Sequence, residues 1–177
     1  MTREEQIKKL DAMAKPRSEE AIKKAEERKK QRKDKDILFR DLCARLPYGV
    51  IGAVPHYDED GEEVLLQGKI TGFNKGQIKF EYLPDCTDDI GAYNWFDIDL
   101  VKPYLRPMSS MTDEEKKEFI DAVTWEANGK FYIDECEDIT FYQEKHDWLL
   151  AHHFDYRGLI DKGLAIEVTE DNNPYKD

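Results

Sequence analysis

The 177-residue chain combines 37% charged residues and a mean hydropathy of −0.80 with an aromatic content of 11%. That aromatic content excludes a wholly disordered chain, because disordered segments are poor in Trp, Tyr and Phe. The formal net charge of −12 disfavours duplex-DNA binding by the molecule as a whole, since like charges repel over long range.

Charge is unevenly distributed along the chain. Residues 1–36 contain 13 Lys or Arg and 9 Asp or Glu, a net charge of +4. The rest of the chain therefore carries −16, because the whole chain carries −12. A body of that charge attracts basic protein surfaces or cations, so we expect a protein partner with a basic surface.

The cysteines and the N-terminal residues indicate the cellular compartment in which the protein is expected. Cys43, Cys86 and Cys136 are odd in number and form no CxxC pair, which predicts neither a disulfide framework nor a zinc site. Cys43 lies in an apolar helical pattern, so we expect it to be buried. The first residues lack the apolar segment of a signal peptide, and no run approaches the roughly 18 apolar residues of a transmembrane helix. We expect a cytoplasmic protein without membrane contact.

Residues 1–35 are predicted to form a charged helical arm. Glu–Lys pairs four residues apart favour a helix there, and the scarcity of apolar residues leaves no face for a core. Its basic run is typical of a solvated helix face, and nucleic-acid binding through this run is the alternative. The run consists of Arg28, Lys29, Lys30, Arg32 and Lys33.

Residues 36–177 are predicted to form one globular domain, which begins with a helix over residues 36–46. Leu38, Leu42 and Leu46 recur at the spacing of a buried helical face. Asp36 is expected to cap this helix, and Pro47 to end it.

Residues 48–105 are predicted to be rich in β-strands. The segments DEDG and NKG are typical hairpin turns between apolar runs. Ile78, Phe80 and Tyr82 alternate with charged residues, as in a half-buried strand, and the segment WFDIDL alternates in the same way. Several short, tightly connected strands predict a small antiparallel SH3-like β-barrel or a curled sheet. With its flanking helices the fold class is α+β.

Residues 112–168 are predicted to be mainly helical. Thr112 and Glu115 have the spacing of a capping box, and Asn128-Gly129 is a typical helix end. A further helix is indicated around Trp148, Asp155 is expected to cap a short turn after it, and LAIEV is expected to form a last strand or an apolar strap.

Three blocks of the chain resemble a family of short uncharacterised proteins from Bacteroides-type gut bacteria and their phages and mobile elements. These blocks are DILFRDLCARLPYGV (36–50), DLVKPYLRPMSSMTDEEKKEF (99–119) and WLLAHHFDYRGLIDKGLAIEV (148–168). The resemblance implies a phage or mobile-element gene expressed in a bacterial cytoplasm. It implies no catalytic residue.

One candidate metal or acid–base site is His152, His153 and Asp155. On a helix, His152 shares the face of Trp148, whereas His153 is rotated by about 100°. Adjacent histidines therefore do not readily bind one ion from a regular helix, in contrast to the i,i+4 pair of an HExxH site. We favour a structural role for these residues at a helix end, and a metal-dependent enzyme is the alternative.

Other sites of chemistry are weakly indicated. Residues 58–63 fail the EF-hand template, because glycine stands at its fourth position rather than its sixth, so a solvated turn is favoured. The chain contains no P-loop, GxGxxG or GxSxG motif. We therefore expect no catalytic residues and no cofactor.

Aromatic residues between positions 82 and 104 are candidates for a partner-binding groove, beside the acidic turn. The alternative is that these rings close the barrel. The candidate partner-binding residues are Tyr82, Tyr93, Trp95, Tyr104, Asp58, Asp60 and Glu62. The sequence as a whole predicts a non-enzymatic acidic interaction protein, a phage or mobile-element accessory factor that binds a basic host protein.

Overall fold

A computed structural model describes residues 19–57, 60–82, 95–121, 124–127, 130–133 and 139–176. The chain divides into two compact units, residues up to Asp36 and residues from Ile37 onward. Its helices are α1 (Glu19–Arg45), α2 (Asp113–Asp121) and α3 (Ile139–Ala151). Its strands are β1 (Ile51–Tyr57), β2 (Glu63–Asn74), β3 (Gln77–Tyr82), β4 (Trp95–Asp97), β5 (Lys102–Leu105), β6 (Thr124–Ala127), β7 (Lys130–Ile133) and β8 (Ile166–Glu167).

Helix α1 differs from the prediction at its start. No new helix begins at Asp36, because α1 is continuous from Glu19 to Arg45. The end of α1 is close to the predicted one. The helix stops at Arg45, and a 3-10 turn over Leu46–Tyr48 that contains Pro47 follows it directly. The prediction that Cys43 is buried is wrong, because its side chain lies on the exposed side of the helix.

Six strands form one mixed, mostly antiparallel sheet with the order β4-β3-β2-β1-β5-β8. The NKG turn joins β2 to β3 as predicted, and Lys75 and Gly76 both have the positive φ of a tight hairpin turn. The DEDG segment lies between the paired strands β1 and β2, although residues 58–59 are outside the described residues. The pairing does not close into a barrel, so the sheet and its helices form an α+β fold with an open sheet.

The main core lies on one side of this sheet, which we call the inner face. Its buried side chains come from the C-terminal part of α1, from strands β1, β2, β3 and β5 and the residues next to them, and from the C-terminal segment. A register shift in β2 between Ile70 and Gly72 keeps Ile70 and Phe73, three residues apart, on this same face. The buried members are Leu38, Leu42, Val50, Val54, Leu66, Ile70, Ile78, Phe80, Ile98, Val101, Leu105, Leu159 and Ala165.

The opposite side of the sheet, the outer face, carries a smaller core. Ile51, Ala53 and Tyr104 are buried there, and residues of the C-terminal segment pack against them. Alternation along β1 places Pro55 and Tyr57 on the same face as Ile51 and Ala53. The outer face is thus covered by the chain's own C-terminal residues over the β1–β5 region.

Two predicted elements differ from the structure. The alternating segment WFDIDL is not one strand, because a 3-10 turn over Ile98–Leu100 follows β4 and leaves Leu100 exposed. Residues 112–168 are not mainly helical, because α2 ends at Asp121 and the antiparallel pair β6–β7 follows it. Strands need long-range or hairpin partners that helical spacing in the sequence does not reveal.

Two other helical signals in the C-terminal third are confirmed, whereas Asn128-Gly129 lies outside the described residues. The Thr112 hydroxyl accepts a hydrogen bond from the Glu115 backbone N–H, and the Glu115 carboxylate accepts one from the Thr112 N–H, as in a capping box. Helix α3 contains Trp148, and β8 forms within LAIEV and pairs in parallel with β5. Within the described parts of the chain, no helix has the length and apolar character needed to cross a bilayer.

Candidate interaction surfaces

A buried ion pair fixes α1 to the segment that follows α3. Arg45 and Asp41 are both fully buried, and Nε of Arg45 donates to the Asp41 carboxylate at 2.6 Å. Nη2 of Arg45 also donates to the backbone carbonyl of Phe154 at 2.7 Å. Nε of Arg157 contacts the other Asp41 oxygen at 3.1 Å. One carboxylate is thus shared by two guanidinium groups from opposite ends of the domain.

The segment after α3 is held by local hydrogen bonds. The Asp155 carboxylate accepts hydrogen bonds from the backbone N–H groups of Leu159 and Ile160, both at 2.8 Å. Asp155 therefore caps the following turn, as predicted. The backbone of Arg106 bonds to His153 and Asp155 on either side of Phe154, which ties this segment to the end of β5.

His153 lies in an uncommon backbone conformation with φ of 58°. Its side chain is buried and its ring stacks on Tyr175 with 3.8 Å between the ring centroids. Burial, together with the positive charges of Arg45 and Arg106, lowers the pKa of His153 to about 4. The imidazole is therefore neutral at pH 7.

Tyr175 completes the outer-face core. Its hydroxyl accepts a hydrogen bond from the Ile51 N–H at 3.2 Å and donates one to the Tyr104 carbonyl at 2.9 Å. The hydroxyl thereby links strands β1 and β5 beyond their paired residues, and burial raises the pKa of Tyr175. The sequence around Tyr175 gave no signal of this role.

The candidate metal site is not formed. His152 stacks on Trp148 and bonds through Nδ1 to the Trp148 carbonyl, whereas His153 stacks on Tyr175 and Asp155 caps a turn. Among the described residues, no three His, Cys, Asp or Glu side chains are grouped to hold a metal ion. The structure therefore does not bring His152, His153 and Asp155 together as ligands of one ion, because each side chain makes a separate structural contact.

The aromatic candidates do not form one groove. Tyr82 packs on the inner face and its ring contacts that of Phe96. Trp95 is half-buried and pairs with Lys79 on the outer side, because its neighbour Phe96 points inward. Tyr104 is 3% exposed, which contradicts its assignment as a partner-binding residue. Tyr93 lies outside the described residues.

The β1–β2 hairpin presents the acidic candidates beside two apolar side chains. Asp60 and Glu62 are exposed, and Asp58 lies outside the described residues. Tyr57 is 65% exposed and Leu65 is 52% exposed, the two highest values among the large hydrophobic side chains that the structure describes. Sequence reasoning missed both residues, although their position next to an acidic turn was visible.

The basic run divides between two sides of α1. Its members are all exposed and lie within the unit that ends at Asp36. Lys24, Arg28 and Arg32 recur every four residues and so share one face, whereas Lys30 and Lys33 point away from it. Only part of the predicted run can therefore contact one ligand at a time.

Comparison of the chain with protein-family models, with curated proteins and with solved structures finds no match.

We expect the substitution Tyr175→Phe to lower the free energy of unfolding by about 1–3 kcal/mol. The ring is retained, but the Ile51 N–H and the Tyr104 carbonyl lose their shared partner. Urea denaturation measures the change. Tyr57→Phe is the matched control and should have no measurable effect, because that side chain is largely exposed; equal stability of the two variants would contradict the role of Tyr175.

The free energy of unfolding should fall by about 2 kcal/mol between pH 7 and pH 5 because of His153. The folded-state pKa of His153 lies near 4, below the unfolded value of 6.5, so the unfolded chain takes up the proton first as the pH falls. The stabilisation is complete above the unfolded pKa and is lost as the pH falls toward the folded pKa.

The variant His153→Asn removes the titrating group, and asparagine tolerates a positive φ. Urea titrations of this variant should show a shallower dependence on pH than the wild type. His56→Asn serves as the control, because His56 is an exposed residue of β1, and it should retain the wild-type dependence. A wild-type slope in His153→Asn would show that another group is responsible.

Proposed function

We propose that this protein is a non-enzymatic acidic interaction protein that binds a partner protein through a basic surface of that partner. The observation that carries the proposal is the division of charge, with −16 on the chain after Asp36 and +4 before it. The candidate metal or acid–base residues also support it, because the side chains of His152, His153 and Asp155 make separate structural contacts.

The strand arrangement supports a finer proposal, that the sheet belongs to the SH3-like class. Its five N-terminal strands follow the order β4-β3-β2-β1-β5, and a 3-10 turn joins β4 to β5. Such small sheets commonly present loops and one face to peptides. The resemblance of residues 36–50, 99–119 and 148–168 further supports an accessory role for a phage or mobile element in a bacterial cytoplasm.

The immobilised full-length chain should capture basic proteins from a lysate of Bacteroides-type bacteria. Because exposed charges are screened by salt, the captured proteins should elute as the salt concentration rises from about 0.1 M toward 1 M. An unrelated bait of similar isoelectric point, near 4.9, controls for simple ion exchange. Capture of the same proteins by both baits, or a yield that salt does not change, would contradict the proposal.

The second candidate is a nucleic-acid-binding role for the basic face of α1. The observation that favours it is the exposed row of Lys24, Arg28 and Arg32, which the helix places on one face. The acidic body opposes this role, so any affinity should come from the arm and should depend steeply on salt.

A gel shift of the full-length chain with duplex and single-stranded DNA tests this second candidate. Replacing Lys24, Arg28 and Arg32 by Glu should abolish a shift, whereas the same replacement at Lys23, Lys30 and Lys33 should reduce it only partly. The two variants have the same net charge, so they separate a specific face from total charge. Absence of a shift with the wild-type chain would exclude the candidate.

A further inference from the structure

The end of the β1–β2 hairpin carries apolar side chains that do not belong to the core of the described residues. Register pairs Pro55 with Leu65 and Tyr57 with Glu63, and all four side chains lie on the outer face. We call these four residues the hairpin patch. The large exposed fractions of Tyr57 and Leu65 show that packing within the described chain leaves them accessible.

The hairpin patch continues the covered part of the outer face. Along β1 the same row of side chains begins with Ile51 and Ala53, which the C-terminal segment buries through Tyr175. Beyond Ala53, β5 no longer pairs with β1, and Tyr57 is exposed. One end of a single apolar face is thus packed by the C-terminal segment, and none of the described residues covers the other end.

Charge selects the kind of molecule that fits this open end. Between Tyr57 and Leu65 the sequence has five acidic residues and no basic residue. Glu63 belongs to the hairpin patch, and Asp60 and Glu62 are exposed in the turn beside it. The negative charge of the turn repels an acidic segment and attracts a neutral one only weakly. It attracts a cationic segment toward Tyr57 and Leu65.

We infer that the hairpin patch is the docking surface for an Arg-rich protein segment with alternating aliphatic side chains. The guanidinium groups pair with the turn carboxylates and stack on the Tyr57 ring, and the aliphatic side chains pack on Leu65 and Pro55. This inference rests on the proposed function and names the surface and the chemistry of its partner. Tyrosine is a side chain that often dominates binding energy at such interfaces.

Fluorescence anisotropy of labelled peptides with the full-length chain tests the inference. The probes are a short peptide of alternating Arg and Leu and a peptide of equal length and charge with Ser in place of Leu. At about 0.1 M salt, the Arg–Leu peptide should bind the wild-type chain more tightly than the Arg–Ser peptide. The double variant Tyr57→Ser, Leu65→Ser should lose this preference.

Charge is tested by two triple variants that change the net charge equally. Asp60→Asn, Glu62→Gln, Glu63→Gln removes three of the five carboxylates between Tyr57 and Leu65, and binding should weaken about tenfold. The matched control neutralises exposed acidic residues elsewhere and should change the affinity by less than about twofold. Its substitutions are Glu114→Gln, Glu118→Gln and Asp161→Asn.

Changes in the NMR chemical shifts of backbone amides on peptide addition locate the site in the wild-type chain. The largest changes should fall on residues of β1 and β2.

Equal peptide affinities of the hairpin and control variants would overturn the inference, but not the proposal that the protein is an acidic interaction protein. Failure of the wild-type chain to bind either peptide or any basic protein would overturn both. Self-association abolished by the hairpin variants would overturn the choice of occupant, since the basic arm of a second copy would then fill the patch.

Discussion

The buried guanidinium of Arg45 is the interaction on which the domain most depends. An unpaired charge in an apolar interior costs several kcal/mol, so Asp41 and the Phe154 carbonyl must both be in place for the domain to fold. Asp41 lies one helical turn before Arg45, whereas Phe154 comes from the far end of the chain. This pairing makes the end of α1 and the C-terminal segment mutually dependent.

The position of the C-terminal segment then determines the rest of the outer face. The backbone bridge between Arg106 and Phe154 aligns the segment with β5, and β8 continues that alignment. The chain end can then place Tyr175 over Ile51 and Tyr104, and the His153 ring supports it from the other side. The uncommon backbone of His153 is tolerated because these contacts on both sides determine it.

Local signals in the sequence predict local structure well here. The NKG turn, the capping box at Thr112 and the cap at Asp155 each depend on residues within a few positions, and each is formed. Features set by distant residues were not predictable. The burial of Tyr104 and the role of Tyr175 depend on contacts between segments far apart in sequence, and spacing carries no information about these contacts.

The acidic residues of the domain fall into two groups with different consequences. Asp41 and Asp155 are buried, and their charges are balanced or hydrogen-bonded by fixed partners. The hairpin residues Asp60 and Glu62 are exposed, where a charge contributes little to folding stability but acts over about 8–10 Å in physiological salt. The buried carboxylates therefore serve the fold, and the field that a partner meets on approach comes from the exposed ones. The exposed carboxylates of the hairpin adjoin Tyr57 and Leu65. The same surface can therefore attract a cationic partner from a distance and make apolar contacts with it once it is bound.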